Sequence, residues 1–136
     1  MEIKIARHVL NALKKGTPVV ALESTIISHG LSYPHNIEVA FECEKLIKNK
    51  GVVAATIGII DGVPTIGLDE KEIEILAKSE HSGNIMKAAA KDISLYYAQK
   101  ISAGTTVSAT LFLADFAGIA TFATGGIGGV HRDVNK

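Results

Sequence analysis

Several residue types that mark large functional classes are scarce or missing. The chain has one cysteine and no tryptophan, and aromatic residues make up 5% of its 136 positions. A single thiol, Cys43, forms neither a disulfide framework nor a cysteine metal knuckle. On a helix it reads as a small buried residue of a reducing compartment. So few rings argue against a stacking platform for single-stranded nucleic acid. Fourteen basic residues balance fourteen acidic ones, and the charges are scattered, so no footprint for a polyanion and no nucleic-acid partner are expected. The opening stretch MEIKIARHVLNALKKG has no apolar core of signal-peptide length, and no run reaches the ~20 apolar residues of a membrane span. A cytoplasmic protein with no membrane contact is the expectation. His29 and His35 are six apart and lack a metal-ligand pattern; HExxH and GxSxG are both absent.

What is present supports one globular domain over residues 1–136, with 47% hydrophobic residues to build its core. Ile5, Val9, Leu10 and Leu13 lie at helical spacing over 3–14, and Gly16 reads as the C-cap. Residues 17–22 read as a buried strand, SHGLSYPHN as a loop, and the stretch to about Lys50 as a helix. That helix turns Ile37, Ala40, Phe41 and Ile47 inward and Glu38, Glu42, Lys45 and Lys48 outward. VVAATIGII suits a central strand covered on both faces. Asp61-Gly62 signals a hairpin whose return strand, VPTIG, places Pro64 at an edge. Asp69 caps a short acidic-first helix. A loop carrying Lys87, a helix over 92–101, a helix from near Thr105 to Gly118, and a last strand running into glycines complete the pattern. Strands alternating with helices predict a three-layer α/β/α sandwich on a mixed, mostly parallel sheet. No helix returns after the final glycine loop to cover that sheet, so the fold is expected to be incomplete at its C-terminus and the chain to be the N-terminal part of a longer domain.

Four features could carry chemistry. In ALESTIISHG, Glu23 ends a buried strand, where α/β sheets place ligands. It is either a proton donor and acceptor in a cleft or a structural acid accepting bonds from loop amides. The loop GGIGG (Gly125, Gly126, Gly128, Gly129) follows a strand as anion-cradling loops do, or makes a tight turn; it matches neither GxGxxG nor a P-loop. GTTV, Gly104 to Val107, opens a helix and offers either an anion site or a threonine cap. Lys87, among small apolar residues, is a solvated lysine or a ligand-binding one.

Taken in order, VVALESTIISHGLSYPHN, ATIGIIDGVPTIGL, GTTVSAT and FATGGIGGVHR resemble the pseudouridine-5'-phosphate glycosidase family, also called the indigoidine synthase A-like family, from about residue 17 to the end. The resemblance implies an α/β/α sandwich, assembly as a homotrimer, and reversible cleavage of the C–C glycosidic bond of pseudouridine 5'-phosphate to uracil and ribose 5-phosphate with manganese. It implies a lysine Schiff base at C1' of the opened ribose, with a glutamate moving the proton that lets the base leave. Matched to this chain, that glutamate is Glu23. Lys87 matches a lysine at the sugar phosphate, Thr106 and Val107 a phosphate-contacting turn, and Thr124 and His131 positions near the uracil. The family's Schiff-base lysine and metal aspartate match no residue of this chain, which ends at Lys136. The 136-residue chain is therefore expected to be inactive alone, and the rival expectation is a truncated remnant or subunit that binds a sugar phosphate.

Overall fold

The computed structural model describes residues 1–79 and 83–128. Its elements are β1 (Lys4–Ile5), α1 (Arg7–Lys15), β2 (Val19–Leu22), a π-helical turn (Ile26–Gly30), α2 (His35–Lys48), β3 (Val53–Ile60), β4 (Val63–Ile66), α3 (Glu70–Ala77), β5 (Met86–Ala88), a 3₁₀ turn (Ala90–Asp92), α4 (Ile93–Gln99), β6 (Ala103–Thr105), α5 (Val107–Phe116) and β7 (Thr121–Ala123). Local chemistry explains several boundaries. Gly16 ends α1 at φ +70°, where its amide reaches back to Ala12 and Leu13 carbonyls. Asp69 and Glu72 form a reciprocal capping box at the start of α3. Asp61 and Gly62, at φ +48° and +85°, are the two central residues of the β3–β4 hairpin.

The seven strands form one mixed sheet with the path β1-β4-β3-β2-β7, and β6 adds to β3 and carries β5. Four of its strand pairings are parallel (β1–β4, β2–β3, β2–β7, β5–β6) and two are antiparallel (β3–β4, β3–β6). β3 is the organising strand, and its side chains alternate between two layers. Ala55, Ile57 and Ile59 enter a core shared with Val9 and Ala12 of α1, Ile93 and Tyr96 of α4, and Ala109, Leu113 and Ala114 of α5. On the other face Thr56 meets Glu44 of α2, Gly58 lies against Leu68 and Leu76, and Ile60 packs on a second cluster. That cluster joins Ile27 of the π turn, Ala40 of α2, and Ile73, Leu76 and Ala77 of α3. The expected α/β layering on a mostly parallel sheet is observed.

Several local expectations are corrected. Residues 4–5 pair with β4 as a short strand, so the first helix begins only at Arg7, and Leu10 faces solvent while Ala12 is buried. Pro64 sits in β4 between β3 and β1; β1 pairs only with Thr65 and Ile66, so the missing N–H removes no bond to it. Lys87 is on strand β5 rather than in a loop, and Ala103–Thr105 form β6 before the helix starts at Val107. SHG, expected to open a loop, instead completes a π-helical turn over Ile26–Gly30. Cys43 is exposed, because it lies on the side of α2 that faces a cleft rather than the core.

Candidate active site

Leu22 and Ala123 pair at the C-terminal ends of β2 and β7, and Ala88 and Thr105 pair at the C-terminal ends of β5 and β6. β2 and β6 occupy successive stretches of the same edge of β3, at 53–56 and 58–59, with opposite directions. The two parallel pairs therefore point at one another, and the loops that leave all four strands meet where they collide. The junction is closed by a buried hydroxyl network. Thr105 N–H donates to Ser24 Oγ at 2.9 Å, Thr105 Oγ1 donates to the Ile57 carbonyl at 2.6 Å, and Thr110 Oγ1 donates to Thr105 Oγ1 at 3.0 Å. Ser24, Thr105 and Thr110 are all fully buried, and each finds a partner, so the meeting point is rigid rather than merely crowded.

Glu23 leaves β2 at this junction, half-buried, and the Thr124 hydroxyl at the end of β7 donates to its Oε1. Both line a cleft of about 230 Å³. Its walls are mostly apolar, from Leu22, Ile26, Ile27, Val39 and Ala40, with the Cys43 thiol on the α2 side. Asn36 also borders the cleft but its amide is spent: it donates to the Ile27 and Ala77 carbonyls at 2.7 and 2.8 Å and accepts from Ile37 N–H at 2.8 Å. It fixes the π turn against α2 and α3. The Glu23 Oε2 atom has no partner among the described residues, so the carboxylate is held by one oxygen and free to exchange a proton at the other. The Thr124 hydroxyl also lies 3.5 Å from Gly126 N and 3.4 Å from the Gly126 carbonyl, tying the glycine loop to the acid.

A second group of residues gathers over β5 and β6. Gly104 is a notch: a Cβ there would fall 2.1 Å from Ser28 Oγ and 2.9 Å from the Ser24 carbonyl. Ser28, 2% exposed, therefore sits directly on the sheet and hydrogen-bonds His29 Nδ1 at 2.7 Å. Lys87 is the register partner of Gly104, so its side chain leaves the sheet on that same face. Desolvation holds the His29 imidazole below the usual histidine range, the Lys87 ammonium adds to this, and the Ile85 carbonyl opposes both. No carboxylate pairs with Lys87 among the described residues.

Thr106 follows β6 and precedes α5. Its hydroxyl and its amide both donate to the Ala88 carbonyl, at 3.0 and 2.9 Å, so the side chain does not cap the helix. The first-turn amides of Val107, Ser108 and Ala109 have no partner among the described residues. These are orphan donors at the positive end of a helix, next to the strand that carries Lys87, and such a corner suits an anion.

The fold thus brings Glu23 and Thr124 into one cleft, and Lys87, Thr106 and Val107 to adjoining strand ends beside it. His131 lies outside the described residues. No group of three His, Cys, Asp or Glu side chains that could hold a metal occurs among the described residues, so they do not fit the manganese ion that the resemblance implies. No helix among them is long and apolar enough to cross a membrane. Sequence reasoning did not find Asn36, His29 or the Gly104 notch as parts of the site. The GTTV run was read as an anion site or a threonine cap, and nothing in the sequence showed that Ser28 would fill the space over Gly104.

The fold is shared with known proteins. Residues 8–136 match the family model described as indigoidine synthase A like protein. A pseudouridine-5'-phosphate glycosidase of Petrotoga mobilis is 49% identical over 134 residues, which is 98% of this chain and 43% of that protein. One from Arabidopsis thaliana is 51% identical over 133 residues, covering 98% of this chain and 40% of the relative. Among solved structures, a prealnumycin C-glycosynthase in complex with ribulose 5-phosphate superposes with a TM-score of 0.82 at 38% identity, over 97% of this chain and 41% of that one. An indigoidine synthase A-like protein of Thermotoga maritima gives a TM-score of 0.82 at 34% identity, over 96% and 41%. The chain spans less than half the length of these relatives. It belongs to the indigoidine synthase A-like family.

Proposed function

With that family membership as the premise, we propose that residues 1–136 supply the acid/base and much of the substrate-binding half of a pseudouridine-5'-phosphate glycosidase. The reaction is reversible cleavage of the C–C glycosidic bond to uracil and ribose 5-phosphate. One observation carries the reading: a single carboxylate, Glu23, oriented by Thr124 with one oxygen unpartnered, stands in an apolar-walled cleft at the meeting of four strand ends. A C–C bond offers no oxygen leaving group, so departure of the base needs an electron sink at the sugar and a proton delivered to the base carbon. Glu23 is the proton carrier. Lys87 with the α5 N-terminus around Thr106 and Val107 receives the sugar phosphate, and Thr124, with His131 by the family resemblance, is assigned to the uracil. The Schiff-base lysine, the metal aspartate and with them manganese belong to the part of the relatives that these residues do not cover. A cytoplasmic homotrimer is the assembly that goes with this reading.

The test is a chimera in which this segment replaces its counterpart in the Petrotoga mobilis relative. Incubated with pseudouridine 5'-phosphate and Mn²⁺, the chimera is expected to release uracil and the 136-residue chain alone to release none. Glu23→Gln in the chimera should lower turnover by about 10²-fold or more with binding largely kept. Unchanged turnover would remove Glu23 from the mechanism, and turnover by the isolated chain would refute its dependence on a second part. A chimera that binds ribose 5-phosphate yet never turns over would favour the non-catalytic sugar-phosphate binder.

A further inference from the structure

The family resemblance assigns no role to His29, yet the fold places this residue with care. Asn36 of α2 and the buried Ser28–Ser79 contact pin the π turn, and the Gly104 notch lets it rest on β6. Ser28 then fixes the imidazole by its Nδ1 atom, with the Ile85 carbonyl facing the ring. The register of β5 on β6 brings Lys87 out beneath it. Two groups able to carry positive charge are thus held together without a carboxylate between them among the described residues. Lys87 disfavours a charge on His29, and an anion between the two would remove that cost. The neighbours that α2 and the end of α3 present to the π turn, Asn36 and Ser79, are neutral, so Lys87 of β5 sets the local field. Beside Lys87 stands Ala88, whose carbonyl anchors Thr106 and hence the orphan amides of α5.

We propose that His29 is a direct partner of Lys87 in binding the phosphate monoester. This rests on the reading of Lys87 and the α5 N-terminus as the sugar-phosphate corner. His29 stays largely exposed, and partial desolvation and Lys87 together lower its proton affinity; a dianionic ester offsets the lysine charge and supplies an acceptor. Binding therefore carries a proton onto His29, and the imidazolium donates to a phosphate oxygen. Above the second ionisation of the ester, at about pH 6, the complex holds one proton more than the separated partners, so affinity rises as pH falls towards that value; below it the free ester carries the proton itself and the gain levels off.

The probe is ribose 5-phosphate, titrated into the 136-residue chain while its histidine ring and backbone amide NMR signals are followed. Saturation is expected to move the His29 titration to higher pH and to shift the amides of Lys87, Thr106 and Val107. His29→Gln, which keeps a hydrogen-bonding side chain for Ser28 but cannot charge, should weaken binding about 10-fold at pH 6 and little at pH 8.5, a charge-assisted bond lost in one case and a neutral one in the other. If the amides shift and the His29 titration does not, His29 is not a partner of the phosphate while the corner itself stands. If no amide of β5 or α5 shifts, the corner is misassigned and the His29 proposal falls with it.

Discussion

The two faces of the sheet are made of different materials. Against α1, α4 and α5 the strands present Val19, Ala21, Ala55, Ile57, Ile59, Ile66, Ala88 and Ala103, all members of one continuous apolar core. Against α2, α3 and the π turn the same strands present Thr56, Gly58 and Gly104, and the apolar cluster is smaller. Glycine notches, spent amides and short hydroxyl bonds replace aliphatic bulk there. The difference separates two jobs. The aliphatic face supplies burial, worth roughly 1.5–3 kcal/mol for each large side chain. The other face gives up some of that burial to let the π turn and the Glu23 loop approach the backbone closely. The candidate site lies where packing is least oily.

The largest effect expected from this division is on stability and falls on the aliphatic face. Ile57 is fully buried in the centre of β3. Ile57→Ala should cost about 2–5 kcal/mol of unfolding free energy, read from urea titration of the chain. Ribose 5-phosphate binding by the fraction still folded should be unchanged. A loss below about 1 kcal/mol would mean that the continuous core is not what holds the sheet.

Gly104→Ala comes next and acts on the other face. The new methyl would meet Ser28 Oγ and the Ser24 carbonyl, and the latter is backbone that cannot swing aside. Overpacking of this kind costs about 1–3 kcal/mol. Unlike the Ile57 change it should also abolish ester binding, because it lifts the π turn off β6. Gly58→Ala is the comparison on the same face, since its methyl would meet the tips of Leu68 and Leu76 at 2.9 Å and stand 3.3 Å from Ser24 Oγ, all side-chain atoms rather than backbone. It should destabilise less and leave binding intact. If the two glycine changes behave alike, close backbone approach at Gly104 is not special.

The division also decides what could be read in the sequence. The aliphatic face was legible, since VVAATIGII, the Asp61-Gly62 turn and the Asp69 cap each carry a strong local signal. Short strands were not: Ala103–Thr105 and Met86–Ala88 have three residues each and small or charged side chains, and tertiary pairing, not propensity, makes them strands. Cys43 was expected inside because thiols are commonly buried, and its exposure follows from a cleft that α2's own periodicity cannot show. Glu23, Lys87, Thr106, Val107 and Thr124 could be singled out by motif. Their grouping depends on β2 and β6 meeting end to end on β3, which is a property of topology and has no trace in any single segment.

The smallest expected effect tests whether every acid on the polar face serves the site. Glu44 of α2 is half-buried and accepts from Thr56 Oγ1 at 2.5 Å; Thr56 pairs with Leu22 and borders the Glu23 cleft, whereas Glu44 itself lines a separate depression with His8 and Glu70. Desolvation pushes its carboxyl above the ordinary range, and the Thr56 bond and His8 offset only part of that. The folded state then holds this proton more tightly than the unfolded chain does. Stability contributed by the protonated form is present below the unfolded value and is lost as pH rises through the folded one. Glu44→Gln keeps an acceptor for Thr56 and removes the charge. It should raise the melting temperature at pH 7, leave it unchanged at pH 4, and not alter ester binding at either. A destabilised variant at pH 7 would show that the Glu44 carboxylate is a net support of the fold, and that this face tolerates buried charge better than its packing implies.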